Sequence, residues 1–283
     1  MPNEQTKSVL ITGCSSGFGQ AAARFFAQNG WRVFATMRDL AAGQVLRREA
    51  ATHGWLLTTH ALDVTNDEQV AAVVADVLAT PNGLDVLVNN AGYFCIGPVE
   101  ETTPEELQAQ LNTNVLGVLR MCRAVLPAFR TAGQGRIINV SSLAARAVVP
   151  FLGAYHASKA ALESLTEALH YEALPFGIHV SSVLPGPFAT DLITKQVRVK
   201  ASLAADSVYA PLVDHFEAVN GKAPRGKVQT VVNAIYAAAT SRHPRLRYPV
   251  GPLSFLTTYG YPLTPQWLYA FLIRWVFHLG ARR

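Results

Sequence analysis

The chain has 283 residues, 50% of them hydrophobic and 15% charged, with a formal net charge of +5. This suits one large α/β domain with a sizeable core and excludes a disordered chain, while the scattered basic residues form no stripe of the kind nucleic-acid proteins carry. Its three cysteines, Cys14, Cys95 and Cys122, make no C-x-x-C pair, which argues against a disulfide framework or a metal site, and the start "MPNEQTKSVLITG" has no basic-then-apolar signal region, so a cytoplasmic protein is the default expectation.

In chain order, "SVLITG" at 8–13 is a short apolar run ending in glycine and predicts a strand buried on both faces. Beyond a glycine-rich turn, "QAAARFFAQNG" predicts a helix closed by Gly30. "WRVFATM" follows as a second strand, "LAAGQVLRREAATHG" as a helix and "WLLTTHALDV" as a third strand. Next come a helix in "DEQVAAVVADVLAT", a strand in "LDVLVNN", one long helix in "PEELQAQLNTNVLGVLRMCRAVLPAFRTA" and a strand in "GRIINVSS". "AYHASKAALESLTEALHYEAL" is another helix and "IHVSSVLPG" another strand. Strands alternating with helices predict a single-domain, Rossmann-type doubly wound parallel sheet of about seven strands. Residues 7–185 form its core. From 186 to 227 the pattern dissolves, which suits a substrate-binding loop. A final helix and strand occupy 228–251, and an apolar extension 252–283.

"TGCSSGFG" at 12–19 ends the first strand and opens the first helix, the context that gives a glycine-rich motif meaning. Gly13 allows a tight turn, Gly17 lets backbone approach a pyrophosphate, and Gly19 lets helix pack closely on sheet. The helix N-terminus would face the phosphates.

With this glycine spacing the chain resembles the short-chain dehydrogenase/reductase superfamily. The resemblance continues through "NNAG" at 89–92, Asn114, Ser141 and Ser142, the Tyr155-x-x-x-Lys159 pair and "PGPFAT" at 185–190. Within it, "NTNVLGVLRMCRAVLPAFR" and "EALPFGIHVSSVLPGPFATD" look most like hydroxysteroid and retinol dehydrogenases. The resemblance implies a nicotinamide dinucleotide held by Gly13, Ser15, Ser16, Gly17, Phe18 and Gly19. It places Asp63 beside the adenine with Val64, and the backbone of Asn89, Ala91 and Gly92, with Asn90, along the adenosine ribose. Pro185, Gly186 and Thr190 would follow, with Thr190 holding the nicotinamide carboxamide.

The second strand bears on which dinucleotide binds. Met37 stands where an acid reading the NAD ribose would be expected. Arg38 follows and can pair with a 2′-phosphate, to which Ser15 and Ser16 can donate. Asp39 weighs against this, by repelling the phosphate or neutralising Arg38. NADP(H) is favoured over NAD(H).

Tyr155 and Lys159 are one helical turn apart. A phenol titrates near 10, and a neighbouring ammonium together with an oxidised nicotinamide favours its phenolate, so the pair suits proton delivery to a developing alkoxide. Lys159 can also hold the nicotinamide ribose. Ser142, at the end of the preceding strand, can hydrogen-bond the substrate oxygen. The resemblance makes Asn114 a fourth member, holding a water that links Lys159 to solvent, with Asn112 competing for that assignment. Cys14 needs no redox role, and His156 reads as a pocket-rim or packing residue.

These features predict interconversion of an alcohol and its carbonyl on a bulky apolar substrate, steroid-, retinoid- or lipid-like. The alternative from another class is a non-catalytic, dinucleotide-binding redox sensor. Small residues at Ala157, Ala160, Ala161 and Ser164 would let a partner helix approach, and related enzymes pair long helices across a two-fold axis, so a homodimer or homotetramer is expected. In "TPQWLYAFLIRWVFHLGARR", Thr264 is expected to cap a helix from Pro265, greasy from Gln266 to Leu279 but too short to span a bilayer. It packs over the pocket or a subunit, or lies in a membrane surface with Arg274, Arg282 and Arg283 at the headgroups.

Overall fold

The computed structural model describes residues 6–188, 197–204, 206–221, 226–252, 254–277 and 279. Its elements run β1 (Ser8–Ile11), α1 (Gly17–Gln28), β2 (Arg32–Met37), α2 (Gln44–His53), β3 (Leu57–Ala61), α3 (Asp67–Leu78), β4 (Val86–Asn89), β5 (Cys95–Ile96), α4 (Pro104–Leu111) and α5 (Gly117–Ala132). They continue as β6 (Gly135–Val140), α6 (Gly153–Ala173), β7 (Ile178–Pro185), β8 (Val197–Arg198), α7 (Ala210–Gly221), α8 (Val228–Thr240), β9 (Arg247–Val250), α9 (Ser254–Gly260) and α10 (Gln266–Val276).

Seven strands form a parallel sheet in the order β3-β2-β1-β4-β6-β7-β9, and β5 pairs with β8 in a separate two-stranded ribbon. The pleat explains the two core layers. Val9 and Ile11 of β1 face a cluster with Phe26 of α1 and Ile235 of α8, whereas Leu10 faces Val74 of α3, Met121 and Val125 of α5 and Leu162 of α6. Strands covered on both faces by helices are apolar at every position, which is why "SVLI" shows no alternation. The strand order reverses between β1 and β4, and the crevice at their carboxyl ends is where such sheets bind ligands. A third cluster, of Phe94, Ile96, Val213, Phe216 and Phe277, joins β5, α7 and the residue after α10 beside this crevice.

The sheet matches expectation, and the structure corrects three local readings and adds one short helix. The single long helix is two, α4 and α5, joined by a π-helical turn over Asn112–Leu116. The segment expected as a loop holds β8 and α7; α7 buries little beyond Val213 and Phe216, too weak a pattern to stand out in the sequence. The proline-containing run before the last helix contains the short helix α9. Thr264 does not cap α10: its hydroxyl donates to the Gly260 carbonyl, Pro265 lies before the first helical residue, and the helix ends at Val276. Thr190, Arg282 and Arg283 lie outside the described residues.

Candidate functional site

β1 brings Thr12 and Gly13 to the carboxyl edge of the sheet. Gly13 and Gly17 have φ of +74° and +60°, a region that strains residues with a side chain. A Cβ on Gly13 would stand 2.8 Å from Ala91 Cα, and one on Gly19 would collide with the Asn90 side chain and the Gly13 carbonyl. Asn90 Nδ2 donates to the carbonyls of Thr12 (2.9 Å) and Gly13 (3.1 Å). Thr12 Oγ1 in turn accepts the N–H groups of Asn90 and Ala91, both at 3.0 Å. These bonds fix a cradle walled by backbone. The first turn of α1 carries no acidic side chain, so its positive dipole end can meet an anion without opposition.

The cradle opens into a cavity of about 1650 Å³. Ser15, Ser16, Gly17 and Phe18 line one end, Arg38, Asp63 and Val64 a side, and Ala91, Gly92, Pro185 and Gly186 the floor towards Ser142, Tyr155 and Lys159. A drug-sized ligand fills roughly 300–1,000 Å³, so a dinucleotide and a second molecule fit together. Of the described site residues named from the sequence, Gly19, Asn89 and Asn114 do not line it; Asn89 is buried in the sheet, where its Nδ2 donates to Asn139 Oδ1 at 2.9 Å. Gly19 closes helix on strand, and Asn114 lies behind the wall.

Arg38 is exposed at the end of β2 and lines the cavity; Asp39 does not. The Asp39 carboxylate accepts the Ala41 N–H at 2.8 Å, capping a short 3₁₀ turn. Met37 is buried where the ribose-reading acid was sought. Burial pushes the Asp63 pKa up, but bonds from the Thr65 N–H (2.9 Å) and hydroxyl (2.7 Å), with the charges of Arg38 and Arg120, hold it below the usual carboxylate value. Asp63 is therefore ionised at neutral pH.

Ser142 lies two residues beyond β6 and caps a short 3₁₀ turn, its hydroxyl accepting the Ala144 N–H at 3.1 Å. Tyr155 and Lys159 come from successive turns of α6, with Lys159 Nζ 5.9 Å from the centre of the Tyr155 ring. Lys159 Nζ donates to the Val140 carbonyl at 3.0 Å. Burial lowers its pKa to about 8, opposed by the charge of Glu163. Burial raises the Tyr155 pKa, partly offset by a hydrogen bond with Ser142. The phenol is thus protonated at neutral pH in this structure, and Lys159 alone does not bring it down.

Asn114 sits in the π-helical turn, 1% exposed. Its Oδ1 accepts the Tyr93 N–H (3.2 Å), and its Nδ2 donates to the Tyr93 carbonyl and Ser158 Oγ, both at 3.0 Å. Asn112 is instead held by Arg120 Nη1 at 2.9 Å. The Asn114 side chain clamps the strand-end loop after β4 to α6. Asn114→Ala is expected to cost about 1–3 kcal/mol in denaturant unfolding, because it leaves the partly buried Tyr93 N–H without its acceptor, while the Tyr93 carbonyl keeps Gln110 Nε2 at 2.7 Å.

The sequence reading did not single out Thr12, Tyr93 or Ser158, whose partners lie far away in the chain. It took His156 as a rim or packing residue. His156 lines the cavity and ties down the segment after Ser142: its Nε2 accepts the Val149 N–H at 3.0 Å and its Nδ1–H donates to the Ala144 carbonyl at 2.6 Å. Burial lowers its pKa, in keeping with a neutral ring.

A glycine cradle at a sheet's switch point, opening into a cavity with room for a dinucleotide, defines a nucleotide-binding α/β protein. The family model described as short chain dehydrogenase matches residues 7–200. The chain belongs to the short-chain dehydrogenase/reductase family, and is an oxidoreductase of it. It is 36% identical over 254 residues to 3-ketodihydrosphingosine reductase of Bacteroides thetaiotaomicron, covering 88% of this chain and 89% of that one. It is 35% identical to retinol dehydrogenase 8 of Homo sapiens, covering 89% of this chain and 85% of the relative. A short-chain dehydrogenase from Burkholderia cenocepacia, solved in complex with NADP, superposes with a TM-score of 0.74 at 28% identity, over 94% of this chain and 97% of that one.

Proposed function

We propose that this protein is an NADP(H)-dependent enzyme interconverting an alcohol and its carbonyl on a bulky apolar substrate. The observation that carries the reading is that Ser142, Tyr155 and Lys159 meet on the wall of the cavity into which the glycine cradle opens. NADPH held by the cradle would supply the hydride that reduces the carbonyl carbon. The Tyr155 hydroxyl, protonated at neutral pH, gives its proton to the carbonyl oxygen as the C=O electron pair moves there. Ser142 hydrogen-bonds that oxygen and stabilises its growing charge. The Lys159 ammonium stabilises the resulting phenolate, which solvent reprotonates past the π-helical turn at Asn114. A non-catalytic sensor has no use for a buried phenol and lysine on this wall, so the second reading is not favoured.

The fit of NADP(H) rests on Arg38 lining the cavity with Asp39 turned to its own cap, and on the NADP held by the Burkholderia relative. Arg38→Asp is expected to lower the ratio of catalytic efficiencies with NADPH and NADH on the order of 100-fold, since a charge-assisted contact becomes a repulsion. An unchanged ratio would remove Arg38 from phosphate recognition.

The apolar substrate is supported by what closes the cavity. Leu256 of α9 and Leu268 and Leu272 of α10 line it, and the Tyr269 hydroxyl fastens α10 to the Val148 carbonyl at 2.6 Å. Phe277 packs on Phe216 of α7 with ring centres 5.3 Å apart. This reading assigns segments 186–227 and 252–283 to substrate binding, supported by Phe188, Val197, Leu256 and Leu272 on the cavity lining. The names of the sphingosine-type and retinol relatives fit such a pocket.

The outer face of α6 exposes Ala157, Ala160 and Ser164, beside Leu165. A homodimer or homotetramer through this face is the proposed assembly. Sedimentation at micromolar concentration is expected to give a multiple of the chain mass, and Ala160→Arg to lower it to one chain.

A further inference from the structure

We propose that α9 and α10 dock on an anionic bilayer surface and open the substrate cavity towards it, an inference that rests on the apolar-substrate reading above. The inner face of α10 belongs to the cavity. Its outer face carries Trp267, Phe271 and Trp275, one per turn and 73%, 60% and 69% exposed. Leu263 and Phe255 extend the patch, exposed by 83% and 72%. Among the described residues no helix is long and apolar enough to cross a membrane. A short helix with tryptophans at both ends of an exposed apolar stripe instead suits the headgroup boundary.

Two observations select the occupant. The first is charge. Helices α9 and α10 carry no Asp or Glu, and their only charged residue is Arg274. The second is the position of the cavity rim. Leu256 and Leu272 both line the cavity and are 66% and 42% exposed. A second copy seated on this face would cover that rim, whereas a bilayer would feed an apolar substrate into it.

The test uses the full chain and vesicles of phosphatidylcholine with or without phosphatidylglycerol. Wild-type protein is expected to sediment with the anionic vesicles, less with neutral ones and less at high salt. The triple variant Trp267→Ser, Phe271→Ser, Trp275→Ser, altered only at exposed positions, is expected to partition at least about tenfold less with an unchanged melting temperature. Wild-type protein that ignores anionic vesicles, or a triple variant that changes subunit mass but not partitioning, would overturn the docking. Activity on dispersed long-chain ketones separates the two claims: turnover without vesicle binding overturns docking alone, and vesicle binding without turnover overturns the proposed function alone.

A second observation concerns a buried charge that the mechanism above does not use. The geometry points to Glu163 as a positioning residue that holds Lys159 in its protonated form. The two lie one turn apart on the buried face of α6, 5% and 7% exposed. Glu163 Oε2 accepts from Arg247 Nε of β9 at 3.2 Å, and Arg247 also donates to Glu167 at 2.6 Å. Glu163 Oε1 has no hydrogen-bond partner among the described residues. A buried carboxylate oxygen left without a donor is costly unless a nearby cation compensates. The charged and titratable groups around it are Lys159, Tyr155 and Glu167 on its own helix and Arg247 on β9; Arg136 of β6 turns to the opposite face and donates to the Ala238 carbonyl.

Glu163→Gln removes the charge that raises the Lys159 pKa, so Lys159 loses its proton at lower pH. The limb of the kcat/KM profile set by Lys159 is expected to move down by about one pH unit. The pH dependence of NADPH binding, read by nucleotide fluorescence, is expected to move with it, so the test survives if turnover is absent. Glu167→Gln, which removes the other partner of Arg247, is expected to lower the melting temperature without moving either profile. A Glu163→Gln variant that is less stable but unshifted would overturn the inference. Should it not fold, Arg247→Gln is expected to move the limb upward, and an unmoved or downward limb would overturn it equally.

Discussion

Tyr155→Phe is expected to lower turnover by about 10³-fold, within the range that a positioned acid or base contributes. The substitution removes one oxygen and leaves the ring packed at 5.6 Å from Phe94. The cradle at Gly13 and Gly17 and the Lys159 bond to the Val140 carbonyl do not depend on the phenol oxygen. NADPH affinity by fluorescence titration should therefore stay within about threefold of wild type. Activity above a few per cent would remove Tyr155 as the proton carrier. A parallel loss of NADPH binding would mean that the phenol holds the nucleotide as well.

Lys159→Met is expected to reduce turnover by a similar factor and to weaken NADPH binding on the order of tenfold, because one ammonium serves both the phenolate and the nicotinamide ribose. Methionine matches the length of the stem and removes the charge. The buried ammonium is already held only near pKa 8, so wild-type activity should fall as pH rises through that value, when Lys159 loses the proton that stabilises the phenolate. In Lys159→Met that limb should vanish. If turnover falls and nucleotide binding does not, the ribose contact is wrong; if the limb persists, it belongs to another group.

What was readable in the sequence was what depends on neighbours in the chain. The "TGCSSGFG" turn and the Tyr155–Lys159 pair follow from local spacing, because a turn of helix or a tight βα corner fixes where those residues point. The π-helical turn was not readable. It is held by Asn114 bonds to Tyr93 and Ser158, partners 21 and 44 residues away in the chain. The bonds that fix the cradle join Thr12 to Asn90 and Ala91 across most of the first half of the chain, so no local pattern announces them. Sequence adjacency makes Asp39 a charge that repels the phosphate or neutralises Arg38, and its cap on Ala41 is visible only in three dimensions. For Tyr155 the sequence shows the neighbouring ammonium that, together with an oxidised nicotinamide, favours phenolate, but not the burial that raises the phenol's pKa.

The most direct test of the account is to incubate the protein with NADPH deuterated at the transferable position and a long-chain ketone, and to analyse the product by mass spectrometry. The account predicts an alcohol carrying one deuterium on the former carbonyl carbon, formed at least about tenfold more slowly from deuterated NADH and scarcely at all by Tyr155→Phe. Absence of labelled alcohol, or label appearing at the same rate with Tyr155→Phe, would contradict it.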